Sequence, residues 1–253
     1  MAERDKAHLE RAIAALSDRQ YEQAGDAYSR SGWSLLAEPR AELSPFDEDE
    51  KGWVGRGLRS LAVGAIAYRV AGEQSRATRR SIEGVAVAKD LRNALTEPAQ
   101  QACLLEFVAD FHVIGDLSGA TEAYETAATA YREGAIDSPQ TWGTTPLFEA
   151  AAEPIKQLAR STANGEIAIA WEDLHGADPD QPGEFLAHRA RYKRSRLPSL
   201  LDSVCESGYF AAPRGTTEYN NDQYECPDCG SHDVNWTGDN VLCMRCSHRM
   251  ERR

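Results

Sequence analysis

The sequence contains no run of eighteen apolar residues, so it offers no candidate membrane span. Its first residues are charged and helix-forming and lack the pattern of a signal peptide, so we expect a cytoplasmic protein. Cysteine is too sparse for a disulfide framework, because four of the six lie close together near the end and Cys103 and Cys205 stand alone in helical patterns. A reducing compartment fits this distribution best.

Motifs of the common catalytic sites are also missing. The sequence has no G-x-S-x-G elbow, no Walker loop and no H-E-x-x-H. The segment 55–60 contains two glycines like a nucleotide-binding loop, but it follows no predicted strand and lies in a predicted helix. We therefore predict that the protein is not an enzyme, and we assign no catalytic residues and no organic cofactor.

Lysine is scarce, since only five of the 28 basic residues are lysines, and the formal net charge is -12. This bias, with abundant Ala, Asp and Glu, resembles the composition of proteins from salt-accumulating archaea. In molar salt the Debye length is about 3 Å, so long-range attraction to a charged partner would be largely screened. The excess negative charge lies entirely in residues 1–180, because residues 181–253 carry 10 acidic and 10 basic side chains.

Apolar side chains recur at helical spacing through the first 212 residues, which predicts a mainly α-helical domain over residues 1–212. The predicted helices span residues 3–17, 20–32, 53–72, 74–95, 104–111, 117–127, 145–164, 166–175 and 182–207. Ser44-Pro45, Glu97-Pro98 and Thr145-Pro146 have the form of helix starts. Pro198 is expected to bend or interrupt the last helix.

Two of these helical pairs share a pattern in which large residues of a first helix face a small-aromatic-small row on the second. The clearest copy consists of Leu104, Phe107, Val108, Phe111, Ala120, Tyr124 and Ala127. The other copy matches only in its second helix, where Ala24, Tyr28 and Ser31 correspond to Ala120, Tyr124 and Ala127. The arrangement resembles the tetratricopeptide repeat. The resemblance implies antiparallel helical hairpins stacked into an α-solenoid, whose concave face binds a protein partner.

The strongest chemical signal lies in residues 224–250. Cys226 and Cys229 form one C-x-x-C pair, Cys243 and Cys246 form a second, and thirteen residues separate the pairs. This is the spacing of two metal-binding knuckles joined by a short β-hairpin, and four thiolates predict one structural zinc ion. So small a β-unit cannot bury enough apolar surface to fold alone, whereas zinc binding supplies about 10 to 16 kcal/mol.

The two cysteine knuckles also resemble a known family. Cys226-Pro-Asp-Cys-Gly-Ser and Gly238 to Cys246 resemble the halves of the zinc ribbons of transcription-initiation factor B, which implies a small β zinc ribbon within residues 213–253. Ser247 stands where that family usually has glycine, and no cyclin-like core follows, so an initiation factor is not implied. The alternative metal is iron in a rubredoxin-like electron carrier, although only the first knuckle has the C-P-x-C-G form.

Basic and aromatic side chains near the end of the chain are candidates for contact with phosphate or an acidic partner. The predicted nucleic-acid or partner-binding residues are Arg189, Arg191, Lys193, Arg194, Arg196, Trp236, Arg245 and Arg249. The alternative for those in residues 188–196 is a solvated helix that pairs with the acidic N-terminal part. A second basic group consists of Arg56, Arg59, Arg69, Arg76, Arg79 and Arg80.

These patterns predict a non-enzymatic adaptor or regulatory factor. Its helical scaffold would bind a protein partner, and its zinc ribbon would dock on a nucleoprotein machine, the ribosome or RNA polymerase, with RNA contact. The alternative is a protein-protein scaffold in which the ribbon is only a structural cap. A rubredoxin-like electron carrier and a cryptic enzyme are less favoured.

Overall fold

A computed structural model describes residues 3–37, 52–134, 136, 138–176, 178 and 181–253. The helices of this part of the chain are α1 (Glu3–Ser17), α2 (Tyr21–Ala37), α3 (Gly52–Val70), α4 (Gln74–Ala94), α5 (Pro98–Ile114), α6 (Ala120–Glu133), α7 (Pro139–Gly143), α8 (Pro146–Thr162) and α9 (Pro182–Ser207). The strands are β1 (Thr216–Glu218), β2 (Tyr224–Glu225), β3 (Val234–Thr237), β4 (Asn240–Cys243) and β5 (Glu251–Arg252). The prediction of a mainly helical chain with a small C-terminal β-unit is confirmed.

The structure contradicts one predicted helix and the predicted interruption at Pro198. The prediction of a helix over residues 166–175 is wrong, because these residues form turns and bends. Asn164 and Gly165 both take positive φ (51° and 80°) and end α8 just before this segment. Asp173 then accepts a hydrogen bond from the Ala170 N–H at 2.7 Å, which stabilises a turn. Pro198 lies inside α9, which continues to Ser207 because buried leucines on both sides of the proline hold the helix against the core. The predicted start at Ser44-Pro45 lies outside the described residues.

Helices α1 to α6 each pack against the next in sequence, as a series of hairpins would. Helix α8 then packs against α3 and α5, while α9 packs along α6 and also contacts α5. The two central helices are therefore enclosed, and 15 of the 19 residues of α3 are buried. Helices α8 and α9 therefore cover part of the surface of α3 and α5.

A network of four charged side chains lies at the centre of the helices. Glu106 and Asp110 on α5 face Arg189 and Lys193 on α9, and none of the four side chains is more than 1% exposed. The Lys193 ammonium donates to Glu106 Oε1, Asp110 Oδ2 and the Ala151 carbonyl, each at 2.6 Å. All three of its donors are thus used. Two positive and two negative charges balance within the core.

Neighbouring polar groups complete this network. The Arg189 guanidinium holds Glu106 through two hydrogen bonds of 3.2 Å and also donates to the Phe148 carbonyl at 3.0 Å. The Tyr124 hydroxyl donates to Asp110 at 2.6 Å, and Tyr131 donates to Glu106 at 2.9 Å. These bonds connect α5, α6, α8 and α9, so every buried charge has partners on more than one helix.

The positive charges of the network also keep the Glu106 carboxyl group ionised. Burial alone would raise the pKa of Glu106, but the Arg189 and Lys193 charges outweigh it and lower that pKa to about 2. A pKa below the ordinary 4.5 means that this carboxylate stabilises the fold above pH 4.5. That contribution is lost as the pH falls from 4.5 towards 2.

The last 41 residues, 213–253, form what we call the C-terminal module. Strand β3 is the centre of one sheet, in the order β1-β3-β4, and β2 pairs with β5 in a second, all antiparallel. The module lies against α1, where Leu242 packs with Ile13 and Ala212. Glu10 of α1 accepts hydrogen bonds from the Asp239 N–H at 3.0 Å and from Asn240 at 2.9 Å.

No helix in the described ranges is long and apolar enough to span a membrane.

We predict that Lys193→Met destabilises the protein strongly. Removing one partner of a buried ion pair costs about 3 to 5 kcal/mol, because the remaining charges stay buried without compensation. The matched control is Arg191→Met on the same helix, because Arg191 pairs with Glu184 at the surface and such pairs are worth about 0 to 1 kcal/mol. Denaturant unfolding measures both, and equal losses would contradict a stabilising network.

We also predict that Gly165→Ala loosens the C-terminal module. A Cβ at Gly165 would overlap the Met244 carbonyl oxygen, in addition to the cost of about 1 to 2 kcal/mol for alanine at positive φ. Gly72→Ala is the control, because Gly72 has a similar φ of 78° and no atom within 4 Å of its added Cβ. Thermal unfolding and limited proteolysis should show the larger effect in Gly165→Ala, and identical behaviour would refute this account of the contact.

Candidate metal centre

The four C-terminal cysteines lie on two turns that have the same backbone geometry. In the first turn, the Cys226 N–H donates to the Ser231 carbonyl at 2.9 Å, and the Gly230 N–H donates back to the Cys226 carbonyl at 2.9 Å. In the second turn, the Cys243 N–H donates to the His248 carbonyl at 2.7 Å, and the Ser247 N–H donates to the Cys243 carbonyl at 2.9 Å. Each turn therefore presents its two sulfurs in the same way.

The turns bring all four sulfur atoms together. The sulfurs of Cys226, Cys229, Cys243 and Cys246 lie within 4.8 Å of one another. The sulfur–sulfur distance is 3.5 Å between Cys226 and Cys246, and Cys229 lies 3.6 Å from both Cys243 and Cys246. A disulfide would need about 2.05 Å. A regular tetrahedron of Zn–S bonds of about 2.3 Å has edges of about 3.8 Å. The cluster is therefore compatible with one zinc ion.

The remaining cysteines and nearby histidines lie apart from this cluster. Cys103 is buried in the helical core, and Cys205 lies on α9. The His232 Nδ1 is 2.7 Å from the Tyr224 carbonyl oxygen, so that nitrogen is used within the module. Four thiolates would complete a tetrahedral shell and leave no open coordination position, which is the pattern of structural zinc sites.

Ser247 occupies the position of the second turn that corresponds to Gly230 of the first. Both residues take positive φ, 59° for Ser247 and 70° for Gly230. A serine at such a φ is strained. The hydrogen bonds of its hydroxyl group offset this strain. The Ser247 Oγ accepts a hydrogen bond from the buried Ala212 N–H at 2.9 Å and lies 3.1 Å from the Tyr209 hydroxyl. This serine therefore joins the cysteine cluster to the segment that follows α9.

We predict that Ser247→Gly leaves metal binding intact but weakens the attachment of the C-terminal module to the helices. Glycine removes the backbone strain but leaves the buried Ala212 N–H without its acceptor, which costs about 1 to 3 kcal/mol. The variant should keep full metal content while the module separates from the helices at a lower denaturant concentration. Ser247→Ala serves as the comparison, because it loses the hydroxyl and retains the strain. Unchanged stability of both variants would contradict this role.

Some of the basic residues predicted to contact a partner are buried in the core, and others form ion pairs at the surface. Arg189 and Lys193 are buried in the core network, so in this fold they do not form part of an exposed surface. They alternate with surface residues because a helix turns successive side chains to different faces. Arg191 pairs with Glu184, and Arg194 pairs with Glu125.

The other predicted contacts have mixed environments. Arg196 is exposed, and Trp236 is half-buried with its ring edge-on to Tyr224, at 6.4 Å between centroids. Arg245 contacts Asp233 at 2.7 Å and also Glu166 of the turn after α8. Arg249 is exposed and lies 3.6 Å from Asp18.

The second basic group does not form one surface either. Arg76 pairs with Glu22 and Asp26, and Arg79 and Arg80 pair with Glu83. Arg69 donates to the Ile114 carbonyl. Arg56 and Arg59 instead line a cleft between α1, α3 and α8. No signal in the sequence distinguished these two from the other four.

The comparisons with known proteins identify no relative: no protein-family model, curated protein or solved structure matches this chain.

Proposed function

We propose that this chain is a non-enzymatic protein-binding scaffold in which a zinc ribbon is docked as a structural cap on a tetratricopeptide-like helical domain. The observation that carries the proposal is the cluster of four cysteine sulfurs within 4.8 Å of one another. Four thiolates would leave a zinc ion no site for substrate or water, so its role would be to fold the module.

The contacts of the module with the helices support the role of a cap. The tip of the β3–β4 hairpin contacts Glu10, and Lys6 lies 3.5 Å from Asp239. The Met244 carbonyl lies against Gly165. The Ser247 hydroxyl accepts a hydrogen bond from the Ala212 N–H, in the segment after α9. The tip of the hairpin and the second cysteine turn are therefore engaged within the chain.

Docking on the ribosome or RNA polymerase, with RNA contact, is the second candidate. The exposed Arg249 and Arg196 and the half-buried Trp236 favour it. Two of the eight predicted contacts are buried, and four others, including Arg249, form ion pairs within the chain, so their charge is partly compensated. This candidate therefore has less support than the scaffold.

The zinc ion is tested by elemental analysis of the purified chain. We expect one zinc per chain, lost when Cys226 and Cys243 are both replaced by serine. The far-ultraviolet circular dichroism of the helices should survive the loss, because the helical core does not contain the cluster. Cys205→Ser is the matched control and should keep its metal. Iron with visible thiolate absorption would instead support the rubredoxin-like alternative, and a chain without either metal would refute the site.

The binding function is tested by affinity purification with and without nuclease, comparing the native chain with the double serine variant. A protein-protein scaffold should retain the same stoichiometric protein partner after nuclease treatment. Loss of all partners on nuclease treatment would favour the nucleoprotein candidate. Sedimentation of all the protein without any partner in either condition would overturn both.

A further inference from the structure

A cleft of about 610 Å³ lies where the helices meet the C-terminal module. Helices α1, α3 and α8 form its walls, and the turn at Thr237 and Gly238 closes one end together with Pro213 and Arg214. Sites for small molecules typically have volumes of about 300 to 1,000 Å³ and lie where separate structural units meet. The size and position of this cleft are therefore those of a small-molecule site.

The cleft is positively charged although the chain is acidic. Among the described residues, five basic ones line it, Lys6, Arg56, Arg59, Lys156 and Arg214, with three acidic ones, Glu10, Glu149 and Glu153. Glu10 is already bonded to the turn of the module, and Lys6 lies next to Asp239. Arg59 and Lys156 form no ion pair with the residues that the structure describes. An excess of positive charge in a chain of net charge -12 favours an anionic ligand.

Tyr28 gives the cleft a buried polar group without a partner. Its side chain lines the cleft and is 2% exposed, and its hydroxyl has no hydrogen-bond partner among the described residues. Burial raises the pKa of Tyr28 well above its ordinary value, so the hydroxyl keeps its proton and can donate. A buried hydroxyl without a partner is destabilising, and a hydrogen-bond acceptor in the cleft would remove this cost.

Three charged residues, Arg59, Arg160 and Glu153, act on the Tyr28 hydroxyl group. Arg59 and Arg160 are close enough for their positive charges to favour ionisation of the phenol, and Glu153 acts in the opposite direction. Arg160 is 6% exposed, and its Nη2 atom has no hydrogen-bond partner among the described residues. Among the residues that line the cleft, Arg59 and Tyr28 can donate to an oxyanion, and the Glu153 carboxylate can accept from a donor group of the same ligand.

We infer that this cleft binds a small molecule that carries a carboxylate or phosphate group together with a hydroxyl or amino group. Arg59 and the Tyr28 hydroxyl hold the anionic group, and Glu153 accepts from the neighbouring donor. This inference stands independently of the proposed scaffold function, because the cleft residues contribute no cysteine and belong mainly to the helices.

The test is calorimetric titration of the full chain at constant ionic strength, because screening would otherwise change with each anion. The probes are inorganic phosphate, glycerol 3-phosphate, and citrate with its analogue tricarballylate, which lacks the hydroxyl group. We expect saturable binding of at least one probe. Glycerol 3-phosphate binding tighter than phosphate identifies a phosphate ligand, and citrate binding tighter than tricarballylate identifies a carboxylate ligand.

Three variants assign the binding to the cleft. Arg59→Gln should weaken the affinity by about tenfold, and Tyr28→Phe by about fivefold. Tyr28→Phe removes a hydroxyl that has no partner, so without ligand it should be at least as stable as the native chain, which distinguishes a binding role from a structural one. Arg79→Gln, on the exposed face of α4, is the control and should bind normally. Absence of saturable binding, or equal affinity of all three variants, would overturn the inference.

Discussion

The ion network between α5 and α9 connects four helices of this protein. Glu106 and Asp110 share Lys193, and Arg189 adds the second positive charge. The carbonyl groups of α8 and the tyrosines of α6 satisfy the remaining donors and acceptors. Charged groups in a core are tolerated only when all are paired, so this arrangement specifies how four helices meet. The position of α9 in turn determines where the C-terminal module begins.

The C-terminal module depends on the rest of the chain in two ways. The turns around Cys226 and Cys243 bring the sulfurs together, and a metal ion there would supply the folding energy that so small a sheet lacks. The helices supply the second support through Glu10, Ser247 and the close approach at Gly165. These contacts also form one end of the positively charged cleft, so the docking of the module and the shape of the cleft are linked.

Much of this structure follows from local patterns. The bounds of α1 and α9 agree with those predicted, because apolar periodicity and terminal residues are encoded within each segment. The prediction failed for residues 166–175, where the Asp173 carboxylate accepts a hydrogen bond from the Ala170 N–H and favours a turn over a helix. Arg189 and Lys193 could not be recognised as core residues, because their acidic partners lie 83 residues away in the sequence.

The sequence by itself determined most of the helices, the order in which they follow one another and the four cysteines that come together. Periodicity and the spacing within each C-x-x-C pair are local properties, so they can be seen without the fold. Only the tertiary structure decided which side of α9 is buried, that α8 and α9 cover α3 and α5, and that Tyr28 and Arg59 share a cleft. Each depends on contacts between distant segments, whose energies are set by packing and by the pairing of buried charges.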